Sequence, residues 1–406
     1  MPDVSVLEVQ LYGETVGTLT RLQGDRNLFA FTQGFVDNAA RPTLGLSVKD
    51  SLGELITAYR PTLARLPPFF ANMLPEAVMR DYLAQRAGVN PKREFSLLWA
   101  LGKDLPGAVT IKAADDDAWP PEPDSDADKR EAGRRKAMRF SLAGVQLKFS
   151  GVMAATGGLT IPAEGTGGSW IVKLPSARFE GVPENEFAMM NLAKAVGIDV
   201  PELKLVPLAE IEGLPEGLGV LEGPALAVKR FDRSAEGLVH IEDFAQVFGV
   251  YPEGKYKMAS AKNIAEVLAA ESTADDIAEF IRRLTFNVLI GNADMHLKNW
   301  SLIYPDRRRA RLSPAYDFVS TIAYIPDDKA ALKFGRTKRM DEYSLDELSW
   351  IAAKARLPEK LVLDTAAETA ARFEAVWTAE QKHLPLTKNL LDAIDAHVKK
   401  VPIAVP

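Results

Sequence analysis

The chain of 406 residues is 47% hydrophobic and 26% charged, the composition of an ordinary globular protein with room for two or more domains. It has no cysteine, which excludes disulfides and thiolate chemistry, and its four histidines have no metal-ligand spacing, which disfavours a structural zinc site. A net charge of −6 disfavours a broad surface that binds nucleic acid directly, so we expect DNA to be contacted only through a partner.

The sequence shows neither a membrane span nor an export signal. No apolar run is long enough to cross a bilayer, and the start, Met1-Pro2-Asp3-Val4, has no basic or apolar region of a signal peptide. We therefore expect a cytoplasmic protein that makes no contact with a membrane.

Residues 1–112 are predicted to form a small α/β module. Leu7, Val9 and Leu11 alternate with polar residues, as in a half-buried strand, and residues 16–19 begin a second strand after a turn. This part of the chain is therefore expected to contain a sheet that carries helices.

A helix and a closing strand complete this module. Residues 75–87 predict a helix with proline at its first position and Gly88 as its stop, and residues 108–111 predict a strand. Composition then changes, because residues 113–138 combine a cluster of acids and prolines with a basic stretch. We interpret that segment as a solvated linker.

Residues 139–232 predict a lobe rich in strands. A helix over residues 184–196, with Gly197 past its end, follows the first strands. From residue 233 onwards the chain becomes mainly helical. Strands first and helices later are typical of an α+β protein with two lobes.

Two helix starts in the second lobe, 233–406, have recognisable caps. Ser272 or Thr273 can cap a helix that carries apolar residues at helical spacing. Ser344 and Glu347 have the spacing of a capping box before another apolar run.

The strongest functional signal is LIGNADMHLKNWSLIY. Asp294 and Asn299 have the Asp-x-x-x-x-Asn spacing of a kinase catalytic loop, in which the carboxylate accepts a hydroxyl proton and the amide holds magnesium. His296 makes the motif Asp-x-His-x-x-Asn, similar to the loops of lipid and aminoglycoside kinases. A predicted hairpin over residues 300–312 then leads to Asp317, placed where a kinase carries its second magnesium ligand.

The upstream half of the chain supplies the other parts of a kinase site. A glycine turn over Ala143 to Gln146 lies between predicted strands, and Lys173 ends the strand Ile171-Val172-Lys173. Glu186 lies near the start of the following helix, where a kinase places the glutamate that pairs with the strand lysine. These elements occur in the order that a kinase requires.

Several motifs together resemble the HipA family of bacterial serine/threonine kinase toxins. They are SLAGVQLK ending at Lys148, WIVKLP, NEF, ALAVKRFDR and GNADMHLKN, together with the upstream FFANMLPE and GKDLPGAVTI. The resemblance covers nearly the whole chain, although the C-terminal third matches weakly. It implies a two-lobed, kinase-like fold of the HipA and lipid-kinase type, with residues 139–232 as the nucleotide-binding core.

The resemblance also assigns residues. It implies that ATP phosphates meet Ala143, Gly144, Val145, Gln146, Leu147, Lys148 and Lys173. It places the adenine against the backbone of Lys229, Arg230 and Phe231, although the best-known member has an acidic residue at the first of these. It places the nucleotide and Mg²⁺ against His296, Leu297, Lys298 and Asn299. Asp294 becomes the catalytic base, Asp317 a metal ligand, and Ser141 a site of autophosphorylation.

The HipA resemblance implies partners as well. The expected substrate is a cytoplasmic protein of the translation machinery, such as an aminoacyl-tRNA synthetase. The expected inhibitor is a HipB-like helix-turn-helix antitoxin that binds operator DNA. Two alternatives stay open: a small-molecule kinase, because the same loop occurs there, and a catalytically inactive corepressor.

Overall fold

The computed structural model describes residues 5–114, 147–153, 159–161, 167–176, 178–214, 221–325 and 329–404. The glycine turn and most of the expected linker lie outside these ranges, so both stay predictions. None of the described helices is both long and apolar enough to span a membrane.

The N-terminal module contains a five-stranded antiparallel sheet. Its strands, in the spatial order β4-β3-β2-β1-β5, are β1 Val6–Leu11, β2 Glu14–Leu22, β3 Arg26–Phe31, β4 Thr62–Leu63 and β5 Val109–Ala113. Its helices are α1 Gln33–Asp37, α2 Pro68–Ala71, α3 Ala77–Arg86 and α4 Glu94–Leu101. The predicted alternation is confirmed, because Leu7, Val9 and Leu11 are all fully buried. Strands β3 and β4 were not predicted.

The predicted helix over residues 75–87 exists but starts later than expected. Pro75 is not its first residue, because Glu76 is the extended N-cap and α3 begins at Ala77. Extended backbone at Glu76 accompanies the contacts of its carboxylate with Lys255 and Lys298 in the second lobe. An N-cap residue has non-helical backbone, so the helix cannot include Pro75, which precedes Glu76.

The strand-rich lobe is a six-stranded sheet with one long helix. Its spatial order is β10-β7-β6-β8-β11-β9, formed by β6 Lys148–Met153, β7 Leu159–Thr160, β8 Trp170–Lys173, β9 Leu203–Val206, β10 Ile211–Glu212 and β11 Ala225–Lys229. Helix α5, Val182–Val196, begins two residues earlier than predicted and ends at Gly197, whose φ of +99° suits a residue without a side chain.

The mainly helical lobe also contains short strands that were not all predicted. These are β12 Arg233–Ser234, β13 Gly237–Leu238, β14 His240–Asp243, β15 Ser301–Tyr304 and β16 Arg311–Leu312. The hairpin of β15 and β16 was expected, whereas β14, which pairs with β15, was not. The helices are α6 Phe244–Val247, α7 Ala261–Glu271, α8 Ala274–Leu289, α9 Leu345–Ala355, α10 Glu359–Glu380 and α11 Lys388–Val398.

The predicted caps of this lobe are largely confirmed. The hydroxyl of Thr273 accepts the backbone N–H of Asp276 at the start of α8, and Ser344 accepts that of Glu347 at the start of α9. The second half of the expected capping box is wrong, because the buried Glu347 carboxylate accepts N–H groups of Gly335 and Arg336 instead. The predicted α+β, two-lobed architecture is confirmed.

The N-terminal module packs against both lobes through buried polar groups. Arg230 donates to Asp104 of the module at 2.8 Å and to Asp232 at 2.8 Å, so charges on both sides of the interface are paired. In the helical lobe, the fully buried Glu242 accepts the N–H of Leu46 of the module at 2.9 Å and the hydroxyl of Tyr304. Burial raises the pKa of Glu242 to about 8.

This buried carboxyl predicts a specific dependence of stability on pH. Because folding raises the pKa of Glu242 from 4.5 to about 8, its stabilising contribution is full below the lower value and is lost as pH rises through the higher one. From about pH 6 to about pH 8, the free energy of unfolding of the wild type should fall by about 2 kcal/mol more than that of Glu242→Gln. Urea unfolding at the two pH values measures this difference. If the free energy of unfolding changed equally with pH in the two proteins, folding would not raise the pKa of Glu242.

Candidate active site

The predicted site residues of the two lobes meet at one carboxylate, that of Asp317. Lys173 is buried at the end of β8 and donates to Asp317 Oδ1 at 2.7 Å while it also contacts Glu186 of α5. Lys148, at the start of β6, lies 3.3 Å from the same oxygen. Asn299 donates its amide to Asp317 Oδ2 at 2.8 Å. Two lysines and an amide therefore surround one acid.

The electrostatics of this cluster keep its central acid ionised. Burial opposes the charge of Asp317, but Lys148 and Lys173 outweigh it and hold the pKa of that carboxyl well below its usual range. Burial would likewise lower the pKa of Lys173, but the charges of Asp317 and Glu186 raise it, so the ammonium stays protonated. The φ of Asp317 is +65°, an uncommon left-handed conformation for a residue with a side chain.

Local contacts shape the loop that carries Asp294. Helix α8 is followed by Gly291, whose φ is +66° and where any Cβ would lie 2.7 Å from the side chain of Ile322. The side chain of Asn292 accepts the N–H of Asp294 at 3.1 Å, and Thr321 accepts the N–H of Ala293 at 2.8 Å. These bonds hold the backbone of the loop at Ala293 and Asp294.

Asp294 lies close enough to the Asp317 cluster for the two carboxylates to interact, and we call the region that contains both the cleft. The hydroxyl of Tyr256 donates to Asp294 Oδ1 at 3.2 Å. Burial raises the pKa of Asp294, and the negative charge of Asp317 adds to the effect. A carboxylate with a raised pKa is a better proton acceptor than an ordinary surface acid.

The remaining loop residues divide between the cleft and the protein interior. His296 is buried and its pKa is lowered to about 4, chiefly by burial, so its ring is neutral at ordinary pH. Leu297 is part of the hydrophobic core. Lys298 donates to the backbone oxygen of Asn72 at 2.7 Å and lies 3.5 Å from Asp243. The side chains of Leu297 and Lys298 are thus engaged away from the expected nucleotide.

The oxygen donors in the cleft fit a magnesium ion. The buried Oδ1 of Asn299 has no hydrogen-bond partner among the described residues, and Asp317 supplies an ionised carboxylate next to it. Mg²⁺ prefers oxygen ligands and is commonly held by one or two protein groups together with substrate phosphates. The described ranges contain no group of three or more His, Asp or Glu side chains that could hold a metal ion.

Two backbone N–H groups of the segment that connects the lobes are already bonded within the protein. The N–H of Lys229 donates to Glu202 at 2.9 Å, and that of Arg230 donates to Ser169 at 2.8 Å. The ring of Phe231 lies 5.8 Å from the ring of Tyr316, between centroids. Among the described residues, no hydrogen-bond partner of the Phe231 N–H is found, so the adenine contact of this segment stays a prediction.

Some of the predicted site residues are not among the described residues. Ser141 and the turn residues Ala143, Gly144, Val145 and Gln146 lie outside the described ranges. Leu147, the first described residue after them, is buried, and its backbone oxygen accepts the N–H of Leu174.

Three residues of the site were missed in the sequence. Asn185, next to Glu186, exchanges two hydrogen bonds with the backbone of Ser320, at 2.9 and 3.1 Å, and so joins α5 to the segment after Asp317. Asn292 and Tyr256 contact Asp294 as described above. Asn185 and Asn292 lie inside the quoted motifs NEF and GNAD, whereas no local pattern singles out Tyr256.

Comparison with known proteins identifies two matching families and several similar proteins. Residues 7–112 match the family of HipA N-terminal domains, and residues 140–377 match the family of HipA-like C-terminal domains. "Putative kinase Y4dM" of Sinorhizobium fredii is 60% identical over 99% of this chain and 98% of its own length. "Putative kinase Y4mE" of the same organism is 33% identical over 91% of this chain and 92% of its own length.

A toxin and a solved structure are also similar. The serine/threonine-protein kinase toxin HipA of Shewanella oneidensis is 29% identical over 65% of each chain. The solved complex of HipA, HipB and operator DNA from S. oneidensis contains a chain that matches with a TM-score of 0.72 and 22% identity, over 98% of this chain and 96% of that one. Two family matches that cover both halves of the chain, and a fold match along its length, lead to one conclusion: this chain belongs to the HipA family of kinases and has its two-lobed, kinase-like fold.

Proposed function

We propose that this chain is an ATP- and magnesium-dependent protein kinase that phosphorylates serine or threonine residues of a cytoplasmic protein. The observation that carries the proposal is the convergence of Lys173, Glu186, Asn299 and Asp317 in one cleft with Asp294. These are the residue types that phosphoryl transfer needs to hold phosphates and metal and to receive a proton.

Each of these residues has a distinct role in the proposal. Lys173 and Lys148 supply positive charge for the phosphates, and Glu186 orients Lys173 from the helix behind it. Asn299 and Asp317 would hold magnesium, which neutralises phosphate charge when bound. Asp294 accepts the proton of the acceptor hydroxyl while that oxygen bonds to the γ-phosphorus and the bond to the bridging oxygen of ADP breaks.

The proposal extends to partners. HipA of S. oneidensis has been solved with HipB and operator DNA. A HipB-like helix-turn-helix antitoxin is accordingly the proposed inhibitor of this chain, and contact with DNA runs through that partner, in keeping with the net charge of −6. The family resemblance supports a protein of the translation machinery, such as an aminoacyl-tRNA synthetase, as the substrate.

Asp294→Asn tests the base. Asparagine keeps the shape of the side chain but cannot accept a proton, so the rate of phosphoryl transfer should fall by about 10²–10⁴-fold. Affinity for ATP should change little, because phosphates and adenine are held by other residues. Transfer of labelled phosphate and calorimetric binding of Mg-ATP measure the two effects. A variant that keeps nearly full transfer would show that Asp294 is not the base.

Asp317 and Asn299 should differ in their response to metal. Asp317→Ala should abolish productive binding of Mg-ATP as well as turnover, because it removes the ionised ligand. Asn299→Ala should be partly restored by excess Mn²⁺, since its amide is one ligand among several. Titrations of turnover with Mg²⁺ and with Mn²⁺ measure both variants. Normal metal dependence of Asp317→Ala would remove Asp317 from the metal site.

Ser141 should be phosphorylated by the enzyme itself and switch it off. It lies beside the predicted phosphate turn, so a phosphate there adds about −1.5 to −2 charges where ATP must bind. Trypsin should release Phe140 to Lys148, in which Ser141 is the only hydroxyl residue. Mass spectrometry should find this peptide phosphorylated in the active protein and unmodified in Asp294→Asn.

Two further variants complete the test of self-inactivation. Ser141→Asp should bind ATP poorly, and Ser141→Ala should carry no label on this peptide. If the peptide stays unmodified while the enzyme phosphorylates other proteins, self-inactivation through Ser141 is refuted and the kinase assignment stands. A kinase of small molecules would leave both itself and other proteins unlabelled.

A further inference from the structure

The Tyr256 side chain connects the catalytic loop to a segment outside it. Its hydroxyl donates to Asp294 Oδ1 at 3.2 Å, and its ring packs edge-on against the ring of His296, with 5.2 Å between centroids. Burial and the charge of Asp294 raise the pKa of Tyr256, so the phenol stays protonated and donates this bond. Tyr256 therefore fixes the position of one carboxylate oxygen of Asp294.

The backbone around Tyr256 is also tied to neighbouring segments. The backbone oxygen of Lys255 accepts the N–H of Leu297 in the catalytic loop at 3.3 Å. The backbone oxygen of Tyr256 accepts the ammonium of Lys338 at 3.3 Å. Tyr256 is 37% exposed, so contacts such as these, rather than full burial, have to fix its position.

One residue of the N-terminal module holds both this segment and the catalytic loop. Glu76 Oε2 lies 2.8 Å from the ammonium of Lys255, and Glu76 Oε1 lies 3.4 Å from that of Lys298. Burial disfavours the charge of Glu76, but Lys298 and Lys255 outweigh it and lower its pKa, so the carboxylate is anionic. One carboxylate therefore bridges two lysines of the second lobe.

The module around Glu76 is anchored firmly enough to serve as a support. The side chain of Asn72 donates to the backbone oxygen of Val250 at 2.7 Å, and its own backbone oxygen accepts the ammonium of Lys298 at 2.7 Å. Gln246 of α6 donates to the backbone oxygen of Phe69 in α2 at 3.0 Å. These bonds are buried or partly buried, where a bond is costly to leave unmade.

We infer that Glu76 and Tyr256 are positioning residues for Asp294. Through Glu76, the N-terminal module helps to fix the position of the catalytic base, which lies in the helical lobe. The inference rests on the proposed role of Asp294. Glu76 acts through Lys255 and Lys298, and Tyr256 is the last link to the base. Positioning of this kind affects the rate of the chemical step, because small displacements of a catalytic group slow it strongly. It leaves the binding of ATP largely unchanged.

The interface supplies a matched control. Glu253, in the same segment as Lys255, also forms an ion pair with the N-terminal module, to Arg65 at 3.0 Å. The Glu253 side chain is 70% exposed and none of its described contacts reaches the catalytic loop. Glu253→Gln therefore weakens the same interface without disturbing the base.

The test compares Glu76→Gln, Tyr256→Phe and Glu253→Gln in the full chain. The maximal initial rate of ADP formation from Mg-ATP, taken before phosphate accumulates on Ser141, should fall by about 10-fold to 100-fold in the first two. The concentration of Mg-ATP that gives half this rate should stay within about twofold, and thermal unfolding should show that the variants are folded. Glu253→Gln should match the wild type in every measurement.

The combined variant tests whether Glu76 acts through Tyr256. If it does, Glu76→Gln with Tyr256→Phe should lose less than the product of the two single losses. If the loss of rate in the combined variant equals the product of the two single losses, Glu76 does not act through Tyr256. A full rate in folded Glu76→Gln overturns the inference, and a full rate in Tyr256→Phe does so even if the Glu76 variant does not fold. A wild type that forms no ADP refutes the proposed function instead.

Discussion

The ionised carboxylate of Asp317 is contacted from both lobes of the protein. Lys173 and Lys148 reach it from the sheet, and Asn299 reaches it from the loop that follows α8. A buried acid is stable as an anion only if nearby cations or hydrogen-bond donors compensate for lost hydration. The strand lysines and the loop that carries Asn299 therefore meet at this one charge, and Glu186 of α5 joins them through Lys173.

The parts of the site that the sequence predicts are those defined by short motifs. The spacing of Asp294 and Asn299, the hairpin before Asp317 and the helix after Lys173 are local patterns, and the structure contains the hairpin and the helix. The roles of Asp294, Asn299 and Asp317 stay predictions, supported by their convergence. Strand β14 was missed because its identity depends on pairing with β15, about sixty positions later in the chain.

Contacts between distant segments explain the other surprises. Lys298 meets Asn72 across 226 positions, so no motif around Lys298 shows that its ammonium faces the N-terminal module. Glu76, the N-cap of α3, likewise contacts Lys255 and Lys298 of the second lobe, which lie far from it in the sequence. Buried polar contacts at Arg230 and Glu242 join the module to both lobes. The N-terminal module is therefore packed against the two lobes that contribute the residues of the cleft.

The central claim, that the cleft transfers phosphate to protein hydroxyls, can be measured directly by quantitative phosphoproteomics. Cells that express the wild-type chain should be compared with cells that express Asp294→Asn at equal level. The account predicts serine or threonine sites on one or a few cytoplasmic proteins that gain phosphate with the wild-type chain alone. Identical phosphorylation in the two populations, with both proteins folded and free of inhibitor, would contradict it.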